Sequence, residues 1–174
     1  EKAVYSASNE LNSNSNNLSF SNSWQQVGPD DVPLTSSGRK RGIGRVNSIA
    51  FHPTNSDIIY VGAPAGGFWK SIDGGQTWNT TTDFLTNLGV SDIAVNPNNP
   101  DEIYIITGDR DAGDTYSYGL MKSLDGGLTF NTTGLSFNIT GFYKGNRVLI
   151  DDDNTNIIIV ATNNEIYRST DAAV

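Results

Sequence analysis

The sequence predicts an all-β fold assembled from repeated four-stranded antiparallel sheets, and three observations carry that prediction. A short stretch, Ser71-Ile72-Asp73-Gly74-Gly75-Gln76-Thr77-Trp78, returns as Ser123-Leu124-Asp125-Gly126-Gly127-Leu128-Thr129-Phe130 and begins again at Ser169-Thr170-Asp171. Each copy follows two runs rich in Val, Ile and Tyr, residues that suit buried strands. No part of the chain shows sustained helical periodicity.

The repeat is longer than its most visible part. Val46–Pro53 and Ile58–Gly62 precede the first copy, Val90–Pro97 and Ile103–Ile106 the second, and Arg147–Asp153 and Ile157–Val160 the third. The copies start at 71, 123 and 169, separations of 52 and 46. A sheet of four strands repeated radially has a period of about 40–50 residues. With strands named a to d from the axis outward, the first unit places a at 46–51, b at 58–62, c at 67–71 and d at 77–82. The second places them at 90–95, 102–107, 118–123 and 129–133, and the third places a to c at 147–151, 156–161 and 165–169.

The recurring stretch reads as a hairpin tip between strands c and d. Gly74-Gly75 and Gly126-Gly127 supply the positive φ of a tight turn. Asp73 and Asp125 are placed to accept from the N–H groups of their own turn, with hydroxyls from Ser71, Thr77, Ser123 and Thr129. Trp78 and Phe130 are expected to tuck between neighbouring sheets. A carboxylate closed on its own backbone is scaffold rather than chemistry. Ser71, Asp73, Gly75, Thr77, Trp78, Ser123, Asp125, Gly127, Thr129, Phe130, Ser169 and Asp171 are therefore read as structural.

This Ser-x-Asp-x-Gly-x-Thr-aromatic pattern resembles the Asp box, or BNR repeat, of sialidases, sortilin-type receptors, xyloglucan-cleaving glycosidases and photosystem II assembly factors. The resemblance runs from about Trp24 onward. It implies a β-propeller with four-stranded antiparallel blades and Asp-box hairpins, about two and a half blades in an incomplete ring. Rings close with roughly 4–8 blades, so a piece of a larger secreted bacterial protein is expected. Residues 1–23 form an Asn/Ser-rich leader or linker, and 24–174 the partial propeller. Within it, 24–29 is an outer strand of the closing blade, 46–83 blade one, 90–134 blade two and 147–174 the start of blade three.

Composition narrows the partners. A net charge of −8 and a pI near 4.4 exclude a nucleic-acid surface, which must be basic. No run is apolar over the roughly 20 residues needed to cross a bilayer. Cysteine is absent, so thiolate sites and disulfides are excluded. Asp151-Asp152-Asp153 match no complete calcium loop, and no metal or cofactor is expected. Asn, Ser and Thr richness, with the habits of the resembled families, points to a secreted or cell-surface setting. His52, the single histidine, lies in a turn between strands a and b and is read as a turn residue.

Chemistry is expected on the face opposite the Asp boxes, where the b-to-c and d-to-a loops gather on a rigid frame. Aligning the a strands places Ser48, Asp92 and Arg147 at equivalent channel-lining positions. The long loop 108–118 contributes Asp109, Arg110, Asp111 and Tyr118, the third d-to-a loop Tyr143, and the basic stretch 38–45 Arg45. Arg45, Asp92, Asp109, Arg110, Asp111, Tyr118, Tyr143 and Arg147 are the candidate ligand-binding residues, with Tyr143 expected to stack on ligand. Three functions fit: a non-catalytic propeller binding glycan or protein, a glycoside hydrolase, or an exported domain held by secretion or outer-membrane machinery. The binding reading leads here. The xyloglucan-cleaving pattern Thr-Asp-x-Gly-Gly-x-Tyr-Arg, whose Asp is catalytic in that family, corresponds to Ala63-Pro64-Ala65-Gly66-Gly67-Phe68-Trp69-Lys70, with Pro64 at the acid's place. The Arg-Ile-Pro motif of sialidases does not occur.

Overall fold

A computed structural model describes residues 44–85, 87 and 89–174 of the protein. The chain divides into units 1–31 and 32–174, and the described residues all belong to the second. The expected leader 1–23, the outer strand 24–29 and the basic stretch before Gly44 lie outside the described residues.

Three antiparallel sheets follow one another along the chain. Blade one contains β1 (Ser48–Phe51), β2 (Ile59–Ala63), β3 (Gly67–Ser71) and β4 (Asn79–Thr80), hydrogen-bonded in that order. Blade two repeats it with β5 (Val90–Val95), β6 (Ile103–Thr107), β7 (Gly119–Ser123) and β8 (Asn131–Ser136). Blade three has β9 (Gly145–Ile150), β10 (Ile158–Thr162) and β11 (Ile166–Ser169). The only helical piece among the described residues is one 3-10 turn, Ile139–Gly141. Strands a, b and c sit where the sequence places them to within a few residues. Strand d of blade one is shorter than expected, two residues rather than six, because the chain leaves β3 after Thr80 and turns at 83–84.

Alternation along each strand assigns one face to the preceding blade and one to the next. Ile49, Ile93 and Val148 share the face toward the preceding blade, by their pairing with Val61, Ile105 and Val160. Ile93 and Val148 are buried, while Ile49, on the outer face of blade one, is 62% exposed. Tyr60, Tyr104 and Ile159 share the opposite face, being paired with Lys70, Lys122 and Arg168. Both tyrosines are buried, and Ile159 opens to solvent on the outer face of blade three. Two cores result. One holds Tyr60, Phe68, Val90, Ile93, Ile103, Ile105, Met121 and Phe130 between blades one and two. The other holds Tyr104, Ile106, Leu120, Val148, Ile158, Val160 and Ala173 between blades two and three. Exposed outer faces on both terminal blades are the mark of an incomplete ring.

The acidic turns close on themselves. Asp73 accepts from Ser71 Oγ (2.8 Å), Thr77 N (2.8 Å) and Thr77 Oγ1 (2.6 Å), and Ser71 Oγ accepts from Gly75 N (2.8 Å). Asp125 repeats this with Ser123 Oγ (2.8 Å), Thr129 N (2.9 Å) and Thr129 Oγ1 (2.6 Å). In the third copy Ser169 Oγ donates to Asp171 and accepts from Ala173 N. The turns between strands a and b recur in the same way. His52 Nδ1, Asn96 Oδ1 and Asp151 Oδ1 each accept from two backbone N–H groups just downstream. The N–H of the first residue after each acidic residue then bonds Asp57, Asp101 or Asn156 O, which joins the two turns of each blade at one rim.

Each acidic turn also plugs into the preceding blade. Lys70 Nζ donates to Gly126 O (2.8 Å) and Thr81 Oγ1 to Gly127 O (2.6 Å), while Lys122 Nζ and Tyr104 OH converge on Ala172 O (3.0 and 2.9 Å). Glu102 holds Lys122 at 2.8 Å, and Lys70 and Lys122 lie over the rings of Tyr60 and Tyr104. Phe130 packs edge-on against Phe68 at 5.0 Å and is buried, as expected of the closing aromatic. Trp78 does not share that burial and is 37% exposed. Among the described residues no blade precedes blade one to wall its side, and its indole N–H bonds Gly75 O instead.

Packing decides which turn residues are free to vary. A methyl on Gly127, at φ +88°, would stand 2.7 Å from the Phe68 ring. In blade three Ala173 fills the same place with φ 59°, and there the facing side chain is the smaller Leu120. Gly127→Ala is expected to lower stability by roughly 2–4 kcal/mol, from the left-handed backbone plus overpacking. The double variant Phe68→Leu/Gly127→Ala is expected to lose less than the sum of the single changes, as read from urea unfolding midpoints.

The hydrogen bonds that close the turns set an acid limit. Donation from Thr77 and Ser71 holds the Asp73 carboxyl at about 2, below its usual 3.8. For Asp125, partial burial opposes the shift, but Thr129, Ser123 and Leu128 N outweigh it and the carboxyl again lies at about 2. A folded-state value below the unfolded one stabilises above the unfolded value and is lost as the pH falls through the folded one. Stability is therefore expected to drop between about pH 4 and pH 2. The Asp73→Asn/Asp125→Asn variant should be less stable at pH 7 and show a flatter profile across that window, measured by thermal unfolding against pH.

Candidate functional site on the loop face

The face opposite the acidic turns is built by loops that bond one to the next. Gly108 N donates to Gly89 O (2.8 Å), Asn87 Nδ2 to Tyr116 O, Ser117 N to Tyr143 O (2.7 Å) and Asn163 N to Lys144 O (3.1 Å). This chain of bonds fixes irregular backbone on the rigid ends of β5, β6, β9 and β10.

The loop after β6 meets the entry to β1 in a charged knot. Asp109 is buried, and its carboxylate pairs with Arg45 and accepts from Asp111 N (3.0 Å) and Asn47 Nδ2 (3.5 Å). Burial alone would raise the Asp109 carboxyl, but Asp111 N, Asn47 and Arg45 together hold it below the usual carboxylate range. Arg110 Nη2 donates to Asn47 O (2.6 Å), and its Nε lies 3.7 Å from Asp111, which is also 3.9 Å from Arg45. Four of the eight candidates, Arg45, Asp109, Arg110 and Asp111, thus belong to one network across the junction of blades one and two. Asn47 Oδ1 and Ser48 Oγ are buried beside it without a hydrogen-bond partner.

Asp92 and Arg147 come together at the next junction. Asp92 Oδ2 accepts from Val148 N (3.0 Å) and lies 3.6 Å from Arg147 Nε, so the carboxylate ties β5 to β9. Arg147 keeps most of its side chain in solvent, 66% exposed. Ser48, Asp92 and Arg147 do occupy equivalent positions, opposite Gly62, Ile106 and Ala161.

The two candidate tyrosines are engaged within the fold. Tyr118 packs against the first core with its hydroxyl on Met121 Sδ (2.9 Å), and burial raises its phenol. Tyr143 lies flat on Phe137, rings 4.4 Å apart and 11° from parallel, and Phe137 in turn meets Tyr167. The ring that stands out instead is the adjacent Phe142, 63% exposed and edge-on to Tyr116 at 5.1 Å and 83°. Sequence reasoning passed over it because neighbouring aromatics give no sign of which one turns inward. Pro64, in the turn after β2, has its carbonyl close to Gly89, whose added Cβ would lie 2.9 Å away. Arg45→Ala should raise the Asp109 carboxyl and cost about 1 kcal/mol at neutral pH, discounted for the exposure of Arg45. That loss should fade as Asp109 protonates in acid, and carboxyl titration by NMR with thermal unfolding would check both effects.

No protein-family model matches the chain. It is similar to a xyloglucanase of Acetivibrio thermocellus, 31% identical over 145 residues, which is 76% of this chain and 17% of that protein. A Paenibacillus xyloglucanase is 29% identical over 142 residues, 75% of this chain and 14% of the enzyme. The chain thus spans about a sixth of the length of these relatives. Among solved structures, an ancestral GH74 enzyme superimposes with a TM-score of 0.61 at 24% identity, over 74% of this chain and 18% of that one. YCF48 from Cyanidioschyzon merolae superimposes with a TM-score of 0.52 at 18% identity, over 75% and 35%. The chain therefore has the β-propeller fold of these structures and is homologous, over three-quarters of its length, to part of the GH74 xyloglucanases.

Proposed function

We propose that the chain is part of an extracellular glycoside hydrolase of the xyloglucanase type, which takes polysaccharide on the loop face. Similarity to enzymes named as xyloglucanases over three-quarters of the chain carries this reading. The loop face adds the chemistry such a ligand requires: a fixed polar network around Arg45, Asp109 and Arg110, a largely exposed Arg147, and an exposed aromatic ring. Sugars are held by few, well-placed polar groups beside apolar surface.

Cleavage of a glycosidic bond takes two carboxyl groups on either side of it. Of the candidate loop-face carboxylates, Asp109 is buried against Arg45, Asp92 is bonded to backbone, and Asp111 lies 3.9 Å from Arg45 and 3.7 Å from Arg110, which favours positioning over proton transfer. The reading therefore draws the cleaving pair from blades beyond these. One observation favours a second reading, polysaccharide binding without cleavage: Pro64 stands where the xyloglucan-cleaving pattern has its acid, and proline carries no transferable proton.

Reducing-end release from soluble xyloglucan by the full-length protein, run beside affinity electrophoresis on the same polymer, separates the two. Reducing-end release by the full-length protein supports the hydrolase. Retardation without cleavage supports the binding reading, and neither effect overturns both.

A further inference from the structure

We infer that Asp73-Gly74 and Asp125-Gly126 are latent isoaspartate sites, reactive pairs that the closed acidic turn keeps inert and that opening of the turn exposes to spontaneous rearrangement. The sequence holds these two Asp-Gly pairs and no other, and no Asn-Gly, so both reactive pairs lie in acidic turns. Such a pair is prone to this chemistry because glycine places no Cβ beside its own nitrogen. The glycine nitrogen attacks the aspartyl Cγ and an N–C bond forms. A C–O bond of the carboxyl breaks, and one water leaves, made of the carboxyl hydroxyl and the amide proton. Water then opens the cyclic imide at the former main-chain carbonyl. The chain thereafter runs through the side chain, one carbon longer, and the free carboxylate sits on Cα. Water is the only co-reactant.

Both reacting groups are withheld in each turn. The nucleophile is anchored to the neighbouring turn, with Gly74 N donating to Asp57 O and Gly126 N to Asp101 O, each at 2.9 Å. The electrophile is saturated with donors. One carboxylate oxygen of Asp73 accepts from Ser71 Oγ and Thr77 N, both at 2.8 Å, and the other from Thr77 Oγ1 at 2.6 Å. One oxygen of Asp125 accepts from Ser123 Oγ (2.8 Å), Leu128 N (3.0 Å) and Thr129 N (2.9 Å), and the other from Thr129 Oγ1 (2.6 Å). These donors favour the ionised carboxyl, and a carboxylate has no hydroxyl to lose. They also tie both oxygens to the far side of the turn, so Cγ is not free to swing onto the glycine nitrogen. The third copy supplies a contrast: Asp171 is followed by Ala172, whose Cβ crowds the attacking nitrogen. Rearrangement is a terminal event for the turn, because a carboxylate carried on Cα no longer reaches the Thr77 or Thr129 groups. The inference stands apart from whatever the loop face binds.

The two turns allow each to serve as the other's control. The full-length protein would be aged in mildly acidic buffer with and without guanidinium, then digested, and isoaspartate counted at each site by mass spectrometry and enzymatic methylation. In denaturant both Asp-Gly sites are expected to accumulate isoaspartate, well ahead of Asp171-Ala172. In the folded protein both are expected to age more slowly by about tenfold or more, since reaction then waits on local opening. Thr77→Val keeps the shape of the side chain and removes one donor to Asp73. It is expected to speed ageing at Asp73-Gly74 by about three- to tenfold and to leave Asp125-Gly126, in the same molecules, at the parental rate. Equal ageing of the folded and denatured parent at either site overturns the inference, whether or not the variant folds. Parental ageing at Asp73-Gly74 in folded Thr77→Val overturns the part assigned to the hydrogen bonds of the turn.

Discussion

The structure depends on a turn whose polar groups are satisfied before it meets its neighbour. Asp73 and Asp125 spend their carboxylates on the hydroxyls and N–H groups of their own hairpins, and the serines close the other end. What remains to project are backbone carbonyls and a bare glycine surface. Those are the groups the preceding blade receives, through Lys70, Lys122, Thr81 and the ring of Phe68. A buried interface of this kind tolerates a carboxylate only because its charge is fully hydrogen-bonded at the rim, where water still reaches it.

That arrangement divides the two ends of each blade. At the acidic rim the turns at His52, Asn96 and Asp151 satisfy themselves, and what each acidic turn offers the preceding blade is backbone carbonyl, at Gly126, Gly127 and Ala172. At the other end the partners come from different blades. Arg45 reaches Asp109, Arg110 reaches Asn47, and Asp92 reaches Val148. Polar atoms such as Ser48 Oγ are left over there. An end assembled from several blades is free to vary loop by loop while the frame stays constant, which is how a propeller carries recognition.

Much of the frame was legible in the sequence, because alternating apolar residues and a fixed repeat together specify strand, register and turn. Strands b and c fall within a residue or two of their expected places. The loop-face residues were legible as positions but not as partners. The contact of Arg45 with Asp109 joins residues far apart in the chain, and no local pattern announces it. Nor does anything local mark Phe142 as the exposed ring and Tyr143 as the covered one. Phe142 stands there on a left-handed backbone, at a residue type that rarely adopts it. Trp78 shows the complementary limit: its motif is intact, but its burial depends on a wall that another blade must supply.

The pairing of Phe68 with Gly127, and of Leu120 with Ala173, has a bearing on how such a ring keeps its order. Repeats that look alike in sequence are not interchangeable modules. Seating the third acidic turn on the first sheet would drive a methyl into an aromatic ring, and the converse exchange would leave a void beneath Leu120. Each junction is thereby keyed to one neighbour, and a chain of near-identical units assembles in sequence rather than by shuffled or slipped association.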